Sequence, residues 1–224
     1  MISPFPYVFT QFKKIIFISL LFLIASNANA QVEVSEGFDQ PTGNSVAPLW
    51  PANNLPFGWT MIKGNDVNAY WDRMNNPGVL PPCSPHGGTA MVRARTAYTT
   101  TANDVSFLVS KPYDLSTRGA ITSNVRFWIY RDGTNAVDNI QVYVNNAPVA
   151  AGAALFDTVS IVQTIPRYYL SAPAVGATGW YLYGFMIPPA YSIAQLYIII
   201  KVTHGPATTT SNVYIDDFSI TTYP

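Results

Sequence analysis

Two adjacent carboxylates, Asp216 and Asp217, stand inside the strand-like run Val213-Tyr214-Ile215-Asp216-Asp217-Phe218-Ser219-Ile220. Neighbouring strand residues face opposite sides. Alternation therefore predicts Val213, Ile215, Asp217 and Ser219 on one face and Tyr214, Asp216, Phe218 and Ile220 on the other, which puts one Asp among core-facing apolar groups. A carboxylate there stays ionised only if hydrogen bonds, a cation or a metal compensate it. Glu36 and Asp39 are two further acids, near the opposite end of the chain.

The other reactive side chains are sparse. His86-Gly87-Gly88 has the form of an esterase oxyanion turn, but the chain holds no G-x-S-x-G nucleophile elbow. Cys83 precedes His86 by three residues with no activating framework around it, and is expected to be a free, inert thiol. With His204 the only other histidine, no zinc-ligand spacing exists. A glycosidase needs two carboxylates across a cleft, and an all-β chain with twelve acids supplies such pairs by chance. The residues thus point to a non-catalytic protein, with a secreted hydrolase as the lesser alternative.

The elements that must position these groups are strands. Tyr, Thr, Val, Ile and Phe dominate, and Pro, Gly and Asn recur between short apolar runs. The clearest alternation covers Thr122 to Arg131, Val137 to Asn145, Ala194 to His204 and Asn212 to Thr221. Weaker strands are Gln31 to Phe38, Trp59 to Ile62, Ala69 to Arg73, Thr89 to Arg95, Val105 to Ser110 and Gly179 to Ile187. Asp132-Gly133 signals a turn between two of them. About ten strands at this spacing predict an all-β fold, a two-sheet antiparallel jelly-roll sandwich. Tyr197 to Ile200 is almost continuously apolar, so its strand should be central and covered on both sides. Two Pro-, Asn- and Gly-rich stretches, Gln40 to Phe57 and Asn75 to Gly88, are either binding loops or wraps that shield a sheet edge.

Lys13 and Lys14, the apolar run Ile15 to Ala25 and Ala28-Asn29-Ala30 have the order of a secretory leader, predicting a signal peptide over 1–30 and a single domain over 31–224. The apolar run is too short to span a bilayer. Without the leader, ten basic residues face twelve acidic ones, scattered singly, which argues against nucleic acid as a partner. A single Cys excludes an internal disulfide. The expected setting is extracellular, with a protein or glycan as ligand.

Read in order, Glu36-Gly37-Phe38-Asp39, Pro56-Phe57-Gly58-Trp59-Thr60, the Trp71 strand, His86-Gly87-Gly88, Phe107 to Ser116, Val125-Arg126-Phe127-Trp128, the Trp180 strand and Tyr214 to Phe218 resemble the choice-of-anchor J, or cleaved-adhesin, domain. The resemblance spans essentially all of 31–224. It implies a MAM-like jelly roll of secreted bacterial proteins, acting in adhesion or ligand binding. That family usually carries a C-terminal anchor module, whereas here Pro224 directly follows the last strand.

The resemblance also implies a structural calcium ion. In a jelly roll the first and last strands run side by side, which would bring Glu36 and Asp39 near Asp216 and Asp217 as hard oxygen ligands, with Asn65-Asp66 as a further source. The alternative is that these acids cap turns or pair with Arg126 or Arg131. A carbohydrate-binding role would instead need exposed loop aromatics, for which Trp50 and Tyr191 are the candidates. Trp128 and Trp180, set in strands, are expected to be packed in the core.

Overall fold

In a computed structural model the described residues are 31–39, 55, 58–74, 78–96, 99–118, 121–133, 138–152, 154–155, 164–205 and 212–223. The leader and Trp50 lie outside them. Two antiparallel sheets face each other across one core. The first has the order β12 (Gly179–Ile187), β8 (Thr122–Arg131), β14 (Val213–Tyr223), β6 (Met91–Ala94) and β3 (Trp71–Met74), with β1 (Gln31–Glu36) paired to β14 beyond the end of β6. The second runs β10 (Ala154–Leu155), β9 (Asn139–Asn145), β13 (Tyr197–Thr203), β7 (Val105–Val109) and β2 (Thr60–Ile62), with β11 (Thr164–Pro166) also on β9. A short hairpin of β4 (Gly78–Val79) and β5 (Pro82–Cys83) stands apart from both.

All ten strands expected from alternation are present; the four added, β4, β5, β10 and β11, have only two or three residues each. Strict alternation in β8 sends Val125, Phe127 and Ile129 into the core, and they meet Ile140, Val142 and Val144 of β9 and Ile198, Ile200 and Val202 of β13 within one apolar cluster. β13 is central, and its outward Ile199 is also fully buried. The first and last strands do pair, Gln31 opposite Thr222 and Glu36 opposite Phe218.

Asp132-Gly133 lies between β8 and β9 as its turn signal predicts, and the two strands it separates belong to different layers. Two local expectations are corrected. Trp128 and Trp180 are half-buried on the outer face of the first sheet, since the inward positions of β8 are filled by Val125, Phe127 and Ile129. Strict alternation also fails in β14. Asp216 opposes Trp128 and Ser219 opposes Arg126, leaving Asp217 and Phe218 against Phe127 alone, so a bulge interrupts the ladder with Asp217 in the left-handed region at φ 47°. The extra residue lets Phe218 and Ile220 join Val213 and Ile215 in the core, leaving Tyr214, Asp216 and Ser219 outward.

Candidate functional site

The bulge places both carboxylates at one corner of the outer face. Segment 78–90 folds across that face, held by aromatic side chains that donate to its carbonyls: Tyr214 Oη to Leu80 O (3.1 Å), Tyr130 Oη to Pro82 O (3.2 Å) and Trp180 Nε1 to Ser84 O (2.9 Å). Asn212 N adds a bond to Leu80 O at 2.6 Å. The imidazole of His86 stacks on Trp128 at 3.7 Å between centroids and 18° between planes, with Trp180 edge-on at 6.0 Å. The Pro-rich stretch 75–88 is thus a cover for an aromatic sheet face over its described part.

Asp216 is fully buried beneath this cover. Its Oδ2 accepts from His86 N (2.8 Å) and Gly87 N (3.2 Å), and its Oδ1 from Asp217 N (2.8 Å). Burial nevertheless pushes its pKa up to about 7; the Asp217 charge adds to the rise, and the three N–H groups oppose it. Asp217 Oδ2 meets His86 Nδ1 at 2.6 Å in a half-exposed pair. Asp39 arrives from the end of β1, its Oδ1 accepting from Thr89 N (2.5 Å), Ala90 N (2.9 Å) and Thr89 Oγ1 (3.3 Å). Arg73 fixes the approach by donating to Phe38 O (2.5 Å) and Asp39 O (3.0 Å).

Two oxygens have no hydrogen-bond donor among the described residues: Asp39 Oδ2 and Asp217 Oδ1. Both border Gly37, where a Cβ would sit 3.4 Å from the first and 3.6 Å from the second. Gly88, at φ 57°, leaves room for the Asp39 carboxylate where any side chain would overlap it, and a Cβ on Gly87 would lie 2.7 Å from Asp217 Oδ2. The carboxylates therefore occupy a cradle of missing side chains.

The structure brings Asp39, Asp216 and Asp217 together and sets Glu36 apart. Paired with Phe218, Glu36 lies on the core side of β1, where it is buried and accepts from Phe38 N at 3.1 Å. Neither arginine considered as a partner hydrogen-bonds the acids among the described residues. The buried Arg131 donates to the carbonyls of Tyr168 and Ser171 and to that of Pro173, while Arg126 is half-buried on the outer face of the sheet. Asp66 belongs to a different pole, bonded to Asn68 and Thr100. Tyr191 sits in a short 3-10 turn (Pro189–Tyr191), half-buried and leaning on the core cluster. His86 is the member that sequence reasoning set aside; its one readable signal was the pair of glycines after it.

Among the described residues no group of three or more His, Cys, Asp or Glu is disposed to hold a metal ion. Two donor-free carboxylate oxygens border Gly37, so calcium, which takes six to eight oxygens, would draw the remainder from backbone carbonyls and water. His86 and Asp217 have the form of a base and its orienting carboxylate, but neither Ser nor Cys hydrogen-bonds the other imidazole nitrogen among the described residues. Also among those residues, no helix is long and apolar enough to cross a membrane.

No family model and no curated protein matches the chain. Solved structures share its fold. The K1 cleaved adhesin domain of Lys-gingipain from Porphyromonas gingivalis W83 aligns with a TM-score of 0.54 at 16% identity, over 86% of this chain and 97% of that one. The K3 cleaved adhesin domain of the same protein gives 0.54 at 18%, over 86% and 99%. A cyclase from Fischerella sp. TAU also gives 0.54, at 11%, over 88% and 98%. The chain thus has an adhesin-like β-sandwich fold, and that fold carries binding domains and an enzyme alike.

Proposed function

We propose that the chain is a non-catalytic binding module that acts outside the cell, taking a protein or glycan ligand, with one calcium ion bracing the corner at Asp39 and Asp217. The observation that carries the binding reading is the outer face of the first sheet. Leu182 and Met186 are exposed there beside half-buried Trp128 and Trp180, while the nearby acids are engaged by backbone N–H groups instead of facing each other across a cleft. The likeness in fold to cleaved adhesin domains is consistent with this reading, as are the leader-like order of 1–30 and the choice-of-anchor J resemblance.

Calcium is supported by two carboxylate oxygens, Asp39 Oδ2 and Asp217 Oδ1, that border Gly37 and have no donor among the described residues. Its contribution would be structural, neutralising carboxylates that otherwise repel. Glu36, turned to the core side, would support the turn into Asp39 without joining the ligand set.

Screening the purified chain against a glycan array and a panel of extracellular matrix proteins tests the function. Saturable binding without turnover of ester, peptide or glycoside substrates is expected. Turnover abolished by His86→Ala would replace the binding module with a hydrolase. Trp50→Ala and Tyr191→Ala ask whether loop aromatics contribute; unchanged binding in both would confine the ligand to the sheet face.

A further inference from the structure

The outer face of the first sheet is covered over one half and open over the other. Segment 78–90 buries Tyr214 and packs on Tyr130 and Trp180, which stay half-buried. The next row past Trp128, across the strands, is Gly184 of β12, Arg126 of β8, Ser219 of β14 and Ser35 of β1, each directly opposite the next in register. Directly opposed residues share a face. Three of these four positions hold Gly or Ser, so the row is a trough crossing three strand intervals, roughly 14 Å. Leu182 and Trp128 wall one side, and Met186 and Asn124 the other. Leu182 and Met186 are exposed, at 44% and 37%.

Gly184 has no conformational reason to be glycine. It lacks a left-handed φ, and a Cβ there would meet Arg126 Cγ and Nε at 3.8 Å and Val125 O at 3.9 Å, ordinary contact distances. A glycine inside a strand weakens it and often marks close approach to the backbone; here the Arg126 side chain lies along the glycine and leaves the rest of the row low. The side chain across that floor is a cation with no carboxylate or hydrogen-bond partner among the described residues, unlike Arg93, which pairs with Asp72, or Arg167, which pairs with Asp132 and Asp138. The nearest acid in the adjoining row, Asp216, turns its oxygens to His86 N, Gly87 N and Asp217 N.

We propose that this trough, floored by Gly184, Ser219 and Ser35 and centred on Arg126, binds an acidic glycan containing uronic acid residues. The guanidinium takes the carboxylate through two parallel N–H bonds, Ser219 and Ser35 meet hydroxyls, and Leu182 and Met186 cover the apolar edges of the sugar rings. This assignment rests on the binding-module reading above and names its ligand class and place.

Calorimetric titration of the whole chain with an oligogalacturonate and with a neutral galactan oligomer of equal length tests it. The acidic oligomer should bind, with affinity falling as salt rises, and the neutral one should bind at least tenfold more weakly. Arg126→Gln should cost at least tenfold, Arg126→Lys should restore part of the loss, and Gly184→Val should abolish binding by filling the floor. Unchanged thermal midpoints in these variants would show that the fold is intact. Wild-type affinity in both Arg126→Gln and Gly184→Val would overturn the trough while leaving a binding module that uses another surface. Failure of the acidic oligomer to bind would also overturn it, with the array and matrix-protein screen separately deciding the module. A dimer dispersed by Gly184→Val would assign the face to a second copy instead.

Discussion

Two corners of this sandwich are rich in acids, and they are finished in different ways. At one pole Asp104 accepts from Asn65 N, Asn65 Nδ2 and Val105 N on one oxygen and from Asp66 N on the other. Asp66 accepts from Asn68 N on one oxygen and from Thr100 N, Thr100 Oγ1 and Thr101 N on the other. Every oxygen is satisfied by the chain itself. At the second corner Asp39 and Asp217 each use one oxygen and leave the other without a donor among the described residues, both bordering Gly37. Both corners seat a carboxylate against a glycine, Gly64 for Asp104 and Gly88 for Asp39. The first corner is a closed structural knot; the second has coordination to spare, as a cation-binding corner would.

The largest expected effect is at the closed corner. Asp104→Ala removes the acceptor for three backbone N–H groups that tie the 64–69 loop to β7, and an unsatisfied buried donor costs about 1–3 kcal/mol. A loss of ~4 kcal/mol in chemical denaturation is expected. Asp217→Ala, which frees only His86, should lose ~1 kcal/mol or less without calcium. Equal losses would erase the contrast between the corners.

Next in size is the pH response of the closed corner. His204 is fully buried, with Ser106 Oγ 2.9 Å from Nε2 and Thr99 Oγ1 3.3 Å from Nδ1. Burial lowers its pKa to about 4, against the opposing charges of Asp104 and Asp66. As pH falls below ~6.5 the unfolded chain takes up a proton that the fold refuses, so this stability is whole above ~6.5 and is lost down to about 4. The amount is ~3 kcal/mol at ~1.4 kcal/mol per pH unit. Asp66, held low at about 2 by its hydrogen bonds, extends the loss to lower pH. Buried Asp72 and Asp216 are raised and run the other way, so the readout is the difference between wild type and His204→Gln between pH 6.5 and 4. Parallel curves for the two would mean that His204 is already charged in the fold.

Much of this architecture was legible in the chain and part of it was not, for physical reasons. Alternation marked β8, β9, β13 and β14 because one face of each is buried. The pairing of β1 with β14 followed from jelly-roll topology, and with it the meeting of Asp39 with Asp216 and Asp217. The bulge at Asp217 was not readable, because one extra residue in a ladder has no composition of its own, and it decides which of Asp217 and Phe218 faces inward. Glu36 was misplaced for a related reason: its opposite is Phe218, a core residue only by virtue of that bulge. Trp128 misled through its size, since a large aromatic in a strand reads as core, while here segment 78–90 supplies a second, outer cover.

Calcium should separate the corners further. If an ion joins Asp39 and Asp217, binding to the native state adds roughly 2.7 kcal/mol at a hundred times its dissociation constant. EDTA should then lower the melting temperature of the wild type. Gly88→Ala, which pushes the Asp39 carboxylate out of its seat at a left-handed position, should lower the midpoint and remove the response to calcium. A melting curve indifferent to both EDTA and excess calcium would leave these acids as turn-bracing groups only.

The smallest effect bears most directly on the comparison because its sign is opposite at the two corners. In Asp39→Asn the amide oxygen can still accept from Thr89 N and Ala90 N, while the neutral amide nitrogen replaces the donor-free oxygen and removes a like charge near Asp217. Removing one of two like charges near the surface is worth about 0.5–1 kcal/mol, part of it offset by lost attraction to Arg73, which keeps its bonds to the Phe38 and Asp39 carbonyls, so without calcium this variant should be as stable as wild type or slightly more so. With calcium the order should reverse, since a hard cation loses one of its two carboxylates. Asp104→Asn should destabilise in both conditions. There the amide nitrogen must take the place of an oxygen that accepts from backbone N–H groups, setting donor against donor. Stabilisation by Asp104→Asn, or destabilisation by Asp39→Asn in EDTA, would mean that the two corners hold their charges by the same device.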